Sequence, residues 1–145
     1  MTIPMRLAVI AAMFLTTSWA VAQQQQKPKI ERTPAPMTSP ASGKEMFESY
    51  CASCHGKSGK GNGPAAAALK ATPADLTMLA KENGGKYPDA KVTSILRGQT
   101  KLIPHGDQEM PVWGPVFWRV SQGNDAEYQQ RIANLNRYLE SLQVK

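Results

Sequence analysis

Apolar residues recur at helical spacing in several segments, and the clearest series lies near the C-terminal end of the chain. Asn124 and Glu127 resemble a helix cap and its partner at the third helical position. The apolar positions that follow are four, three, four and three residues apart: Tyr128, Ile132, Leu135, Leu139 and Leu142. This spacing predicts an amphipathic helix with one side facing a core.

A second helix is predicted near the middle of the N-terminal half. Ser42 and Glu45 fit a capping box, in which the two side chains satisfy backbone N–H groups at a helix start. The helix should run to about Cys51. Its apolar face would carry Met46, Phe47 and Tyr50.

Short helical segments are predicted between these two helices. Thr77 and Asp89 are expected to cap two of them, and Gly98 should end the later one. The segments are a turn over residues 64–69 and helices over residues 78–83 and 90–97. No strand pattern of similar strength occurs, so we expect an all-α fold of four or five short helices.

Two segments precede the predicted domain at residues 42–145. Residues 1–22 have the features of a secretory signal peptide: Arg6, a short apolar stretch, and an Ala20-Val21-Ala22 cleavage site. We expect cleavage after Ala22, periplasmic export, and no transmembrane segment in the mature chain. Residues 23–41 are rich in Pro and Gln, which predicts an extended or disordered linker.

The chain is basic, with a formal net charge of +6 at pH 7 and a pI of about 9.5. Such a balance often indicates nucleic-acid binding, but export argues against nucleic acid as the partner. A basic surface suits redox protein partners that are acidic or membrane-bound, because opposite charge speeds association. A merely solvated Lys/Arg surface explains the charge equally well.

The chemistry is concentrated in Cys51-Ala52-Ser53-Cys54-His55, which holds both cysteines of the chain. C-x-x-C-H is the attachment motif of one covalent haem c. Two thiols three residues apart can reach the two vinyl groups of a porphyrin, and His55 then lies beside the iron. A thioredoxin-like redox pair would need a βαβ context, a zinc site would need more ligands, and a disulfide would close a very small loop.

Met110 is the candidate for the sixth iron ligand. It is followed by Pro111, which restricts the backbone before it, and a thioether ligand raises the reduction potential. His105, five residues earlier, is the competing candidate, and an open or water-bound position is the third possibility. Trp113, Phe117 and Trp118 are expected to pack near this segment.

With these motifs the chain resembles the class I c-type cytochromes, of the bacterial single-haem type. The resemblance covers about residues 43–142 and rests mainly on the C-x-x-C-H-G and M-P-V-W-G sequences. It implies a cytochrome c-like fold in which the first and last helices cross. It also implies that the Pro64 carbonyl accepts a hydrogen bond from the His55 ring.

The predicted function is therefore the transfer of single electrons through a His/Met-ligated haem c, without an enzymatic reaction. One alternative is a haem subunit of a larger respiratory or dehydrogenase complex. A ligand-binding haem sensor or peroxidase-like enzyme would need an open iron position. A thiol-disulfide oxidoreductase would carry no haem.

Overall fold

The computed structural model describes residues 35–99 and 110–144, and these residues form helices joined by turns, with no strand among them. The prediction of an all-α fold is confirmed. The predicted signal peptide, most of the predicted linker and His105 lie outside the described residues. The helices are α1 (Gly43–Tyr50), α2 (Ala52–His55), α3 (Leu79–Glu82), α4 (Asp89–Arg97), α5 (Trp113–Val120) and α6 (Asp125–Ser141), with a 3₁₀ turn at Ala66–Ala68.

Helices α1 and α6 pack against each other, as the resemblance implied. Their backbones approach closely at Gly43, where a Cβ atom would overlap the carbonyl oxygen of Asn134. One turn further along, the rings of Phe47 and Tyr138 lie with their centroids 5.4 Å apart. The core around this crossing includes several fully or almost fully buried side chains: Met46, Phe47, Phe117, Ile132, Leu135 and Leu139.

The predicted caps of the two long helices are confirmed. Ser42 Oγ accepts a hydrogen bond from the Glu45 N–H, and Asn124 Oδ1 accepts one from the Glu127 N–H. The predicted cap at Thr77 is wrong, because Met78 precedes the first residue of α3 and no side chain caps this helix. The Thr77 hydroxyl donates to the Asp75 carboxylate instead. The predicted cap at Asp89 is also wrong: this residue is the first of α4, and its carboxylate accepts from Asn136.

Helix α5 is an element that the sequence analysis did not predict. Its residues Trp113 and Phe117 are buried, and their rings lie near the ring of Tyr50 in α1, at 5.5 and 5.6 Å between centroids. Gly114 lies so close to the end of α4 that a Cβ atom would overlap the Arg97 carbonyl. Of the three aromatic residues predicted to pack near Met110, Trp113 and Phe117 lie in the core against which Met110 packs, whereas Trp118 is exposed, so the prediction for Trp118 is wrong.

Part of the predicted linker is docked on this bundle. Thr38 is buried, and its hydroxyl lies 2.7 Å from the Tyr50 hydroxyl and accepts a hydrogen bond from Arg131 Nη1. Arg131 itself is only 1 % exposed and forms an ion pair with Glu127 at 2.7 Å. The ordered fold therefore begins before residue 42. Within the described ranges, no helix is both long enough and apolar enough to span a membrane.

Candidate functional site

The C-x-x-C-H sequence lies on a single helical turn directly after α1. Cys51 is the C-cap of α1, and its N–H donates to the Phe47 carbonyl. The same residue is the N-cap of α2. The Cys51 carbonyl in turn accepts from the N–H groups of Cys54 at 3.1 Å and His55 at 2.9 Å. Because residues three apart on a helical turn face the same side, the two thiols project from one face.

Both thiols are free, and neither is bonded to another sulfur. Cys51 is buried, and Cys54 is partly exposed. Two effects raise the pKa of the Cys51 thiol to about 12: burial, which is the larger, and the nearby Cys54 thiol. A thiol-disulfide oxidoreductase needs a cysteine with a lowered pKa, because the thiolate is the nucleophile. Burial therefore makes Cys51 unsuited to be the attacking thiol of such an enzyme.

His55 is oriented by a hydrogen bond from its ring. Its Nδ1 atom lies 3.0 Å from the carbonyl oxygen of Ala74. A carbonyl oxygen can only accept a hydrogen bond, so this contact requires the proton to be on Nδ1. That tautomer places the lone pair on Nε2, which is the form of histidine that binds a metal through Nε2.

The sequence analysis expected this carbonyl to come from Pro64, and the structure gives Ala74 instead. The chain near Pro64 is held against α2, because Ala65 N–H donates to the Ser53 carbonyl. The chain then returns about ten residues later, where the Leu76 N–H donates to the Gly59 carbonyl at 2.7 Å. A backbone carbonyl has no side-chain signature, so no feature of the sequence could have identified Ala74.

The glycine-rich loop after His55 follows the surface of α2. Gly61 has a φ of +77°, and its N–H donates to the His55 carbonyl at 2.8 Å. Gly63 donates to the Cys54 carbonyl and lies so close to Ser53 that a Cβ atom would overlap the Ser53 carbonyl. Backbone hydrogen bonds from this loop thus fix the backbone of the motif. Two free thiols and an imidazole that carries its proton on Nδ1 are donor groups that fit a covalent haem.

Met110 begins the second described range and is partly buried against the core. Two residues later, Val112 is the cap of α5, so the buried rings of Trp113 and Phe117 anchor the segment that follows Met110. The structure thus ties Met110 to the aromatic group that the sequence analysis placed near it. The competing candidate, His105, lies outside the described residues.

A separate shallow groove of about 540 Å³ lies along the outer side of α5. Its lining residues are Pro115, Trp118, Arg119, Gln122 and Gly123, and the Trp118 side chain is 47 % exposed. This lining offers no thiol, imidazole or carboxylate. The groove is therefore distinct in chemistry from the C-x-x-C-H turn.

Comparison with known proteins agrees with this arrangement of residues. The family model for cytochrome c oxidase, cbb3-type, subunit III matches residues 38–123, which is more than half of the chain and includes both C-x-x-C-H and Met110. No curated protein and no solved structure matches significantly. The matched region is a class I c-type cytochrome domain, whose covalent haem c transfers electrons. The chain therefore belongs to the cbb3-type cytochrome c oxidase subunit III family.

Proposed function

We propose that this chain is an exported, single-haem electron carrier with His55 and Met110 as the two axial ligands of the iron. The observation that carries the proposal is the helical turn Cys51–His55, where two free thiols and an imidazole with an oriented ring project from one short segment. The family match makes haem-based electron transfer the general activity.

Each residue of the turn has a separate role. The thiols of Cys51 and Cys54 would hold the porphyrin through two thioether bonds, each formed when an S–H group adds across the double bond of a vinyl group. His55 would supply Nε2 to the iron, while the Ala74 carbonyl keeps the Nδ1 proton in place and limits rotation of the ring. When bound, the haem supplies an iron that cycles between the ferric and ferrous states.

Met110 is proposed as the second axial ligand because of its position and its chemistry. Its partial burial against the core limits its motion, and the anchored start of α5 fixes the backbone that follows it. A thioether favours ferrous iron, which suits a carrier that must accept electrons readily. With both axial positions filled by side chains, small ligands such as oxygen would have no coordination position.

Covalent attachment is tested by mass spectrometry of the denatured protein after expression with a periplasmic haem-maturation system. The expected mass is that of a chain beginning at Gln23 plus one haem. A variant with both Cys51→Ser and Cys54→Ser should lack the haem mass but keep the same N-terminus. A parent protein with two free thiols and no haem would refute the proposal, and a retained residue 1–22 segment would refute export.

A second candidate, favoured by the family match, is a subunit of a membrane-bound oxidase complex rather than a free carrier. The test is mild detergent extraction from the native membrane, followed by size separation with detection of covalent haem. Co-migration of this chain with oxidase activity would favour the subunit. Elution of all of the chain at the mass of a monomer would favour the free carrier.

A further inference from the structure

The carbonyl that orients His55 lies in a segment that the C-terminal end of the chain holds in place. This segment, residues 73–80, has little regular structure of its own before α3. Its backbone position therefore depends on contacts with other parts of the chain. The strongest set of these contacts comes from Gln143 and Val144, immediately after α6.

Gln143 uses both ends of its side-chain amide. Its Oε1 atom accepts a hydrogen bond from the Ala80 N–H at 2.8 Å. Its Nε2 atom donates to the carbonyl of Leu76 at 2.7 Å and to the carbonyl of Leu139, in the last turn of α6, at 2.8 Å. One side chain thus joins the end of α6 to two points of the 73–80 segment.

The neighbouring backbone adds a third hydrogen bond to this segment. The Val144 N–H donates to the carbonyl of Thr77 at 3.0 Å, and Thr77 is buried. On its other side the segment is tied to the glycine loop, through the Leu76 N–H and the Gly59 carbonyl. Leu76 is therefore hydrogen-bonded through both its N–H and its carbonyl, and it lies only two residues after Ala74.

We propose that Gln143 is a positioning residue for His55, acting through Leu76 and the Ala74 carbonyl. The proposal rests on the proposed role of His55 as an iron ligand. A firmly held acceptor strengthens the Nδ1–H hydrogen bond, which makes the imidazole a better electron donor and stabilises ferric iron. Loosening the 73–80 segment should weaken that bond and raise the reduction potential.

The test uses Gln143→Met in the full haem-loaded protein, because methionine keeps the length of the side chain and removes its three hydrogen bonds. Two quantities are measured. The first is the rate at which the His55 Nδ1 proton exchanges with solvent, monitored by NMR in the reduced protein, and the second is the reduction potential. The matched control is Tyr87→Phe, which removes a hydrogen bond to Asn136 on α6 without touching the 73–80 segment. Both variants are compared with the parent at equal temperature and pH.

We expect several-fold faster exchange of the Nδ1 proton and a higher potential in Gln143→Met, with neither change in Tyr87→Phe. Parent-like exchange and potential in Gln143→Met would overturn the proposal. So would equal changes in both variants, since the effect would then follow from lower stability alone. If Gln143→Met does not fold, Gln143→Glu is compared through the exchange rate of the Nδ1 proton alone, because it keeps the Ala80 acceptor and loses the donor to Leu76, while its added charge would itself change the potential.

The outcome is separable from a failure of the proposed function. A parent protein without haem, or without an iron–histidine bond, would refute the proposed function before any variant is compared. A parent with both features, combined with an unaffected Gln143→Met variant, would refute the positioning role alone.

Discussion

Arg131 offers a quantitative test of how the segment before α1 is held on the bundle. Its guanidinium makes four hydrogen bonds: one to the Thr38 hydroxyl, one to the Ser121 hydroxyl and two to the Glu127 carboxylate. The side chain is only 1 % exposed, whereas that of Glu127 is 34 % exposed. Arg131 therefore contributes a buried charge whose partner retains access to water.

The Arg131→Met variant keeps the apolar stem and removes all four bonds. Breaking a buried ion pair by deleting one partner costs about 3–5 kcal/mol. The cost should lie at or below the lower end of this range, at about 2–3 kcal/mol, because water can solvate the Glu127 carboxylate that remains. For a domain of roughly 100 residues this corresponds to a decrease of roughly 10–20 °C in Tm.

The assay is denaturant unfolding of the haem-loaded protein, followed by far-UV circular dichroism. The matched control is Arg137→Met, the same substitution at an exposed position of α6, which should cost less than about 0.5 kcal/mol. Hydrogen exchange should also become faster at residues 35–41 in Arg131→Met only. If the two variants lose equal stability, or residues 35–41 keep parental exchange, the assigned role of Arg131 is wrong.

Two further predictions concern the helix crossing and the segment that contains Ala74. Gly43→Ala should lower the free energy of unfolding by about 1–3 kcal/mol, because the new Cβ atom would force α1 away from Asn134. An unchanged midpoint of denaturant unfolding would show that the two helices do not approach this closely. The hydroxyl and N–H of Thr77 donate to Asp75 and lower the pKa of its carboxyl group. Ionised Asp75 thus stabilises the fold at neutral pH, and this contribution is lost as the pH falls through the lowered pKa. The Tm difference between the parent and Asp75→Asn should shrink on acidification, and a constant difference would contradict this reasoning.

The elements that depend on local interactions could be predicted from the sequence. Helix α6 is specified by its cap at Asn124 and by apolar residues three and four apart, of which Ile132, Leu135 and Leu139 are buried. The cap at Ser42 is equally local. Thr77 does not cap a helix, because its N–H and hydroxyl both donate to Asp75 in a local turn and α3 begins later, after Met78. A local turn of this kind competes with a helix start at the same residue.

Helix α5 and the acceptor for His55 depend on contacts between distant parts of the chain. Gly and Pro are unfavourable in a helix interior, but Gly114 and Pro115 lie in the first turn of α5, where N–H groups need no helical partner. Gly114 is also needed for the close approach to Arg97. Ala74 contributes only its backbone carbonyl to the site. Its role is set by the path of the chain between residues 64 and 76, which side-chain patterns do not encode.

The central claim, a covalent haem with His55 and Met110 on opposite sides of the iron, is tested most directly by the visible spectrum of the ferric protein. The parent should show the weak charge-transfer band at the red end of the spectrum that accompanies sulfur–iron ligation, and its reduced form should not bind carbon monoxide readily. Met110→Ala should abolish the band and admit carbon monoxide, while the haem remains attached through Cys51 and Cys54. Persistence of the band in Met110→Ala, or ready carbon monoxide binding by the parent, would contradict the account.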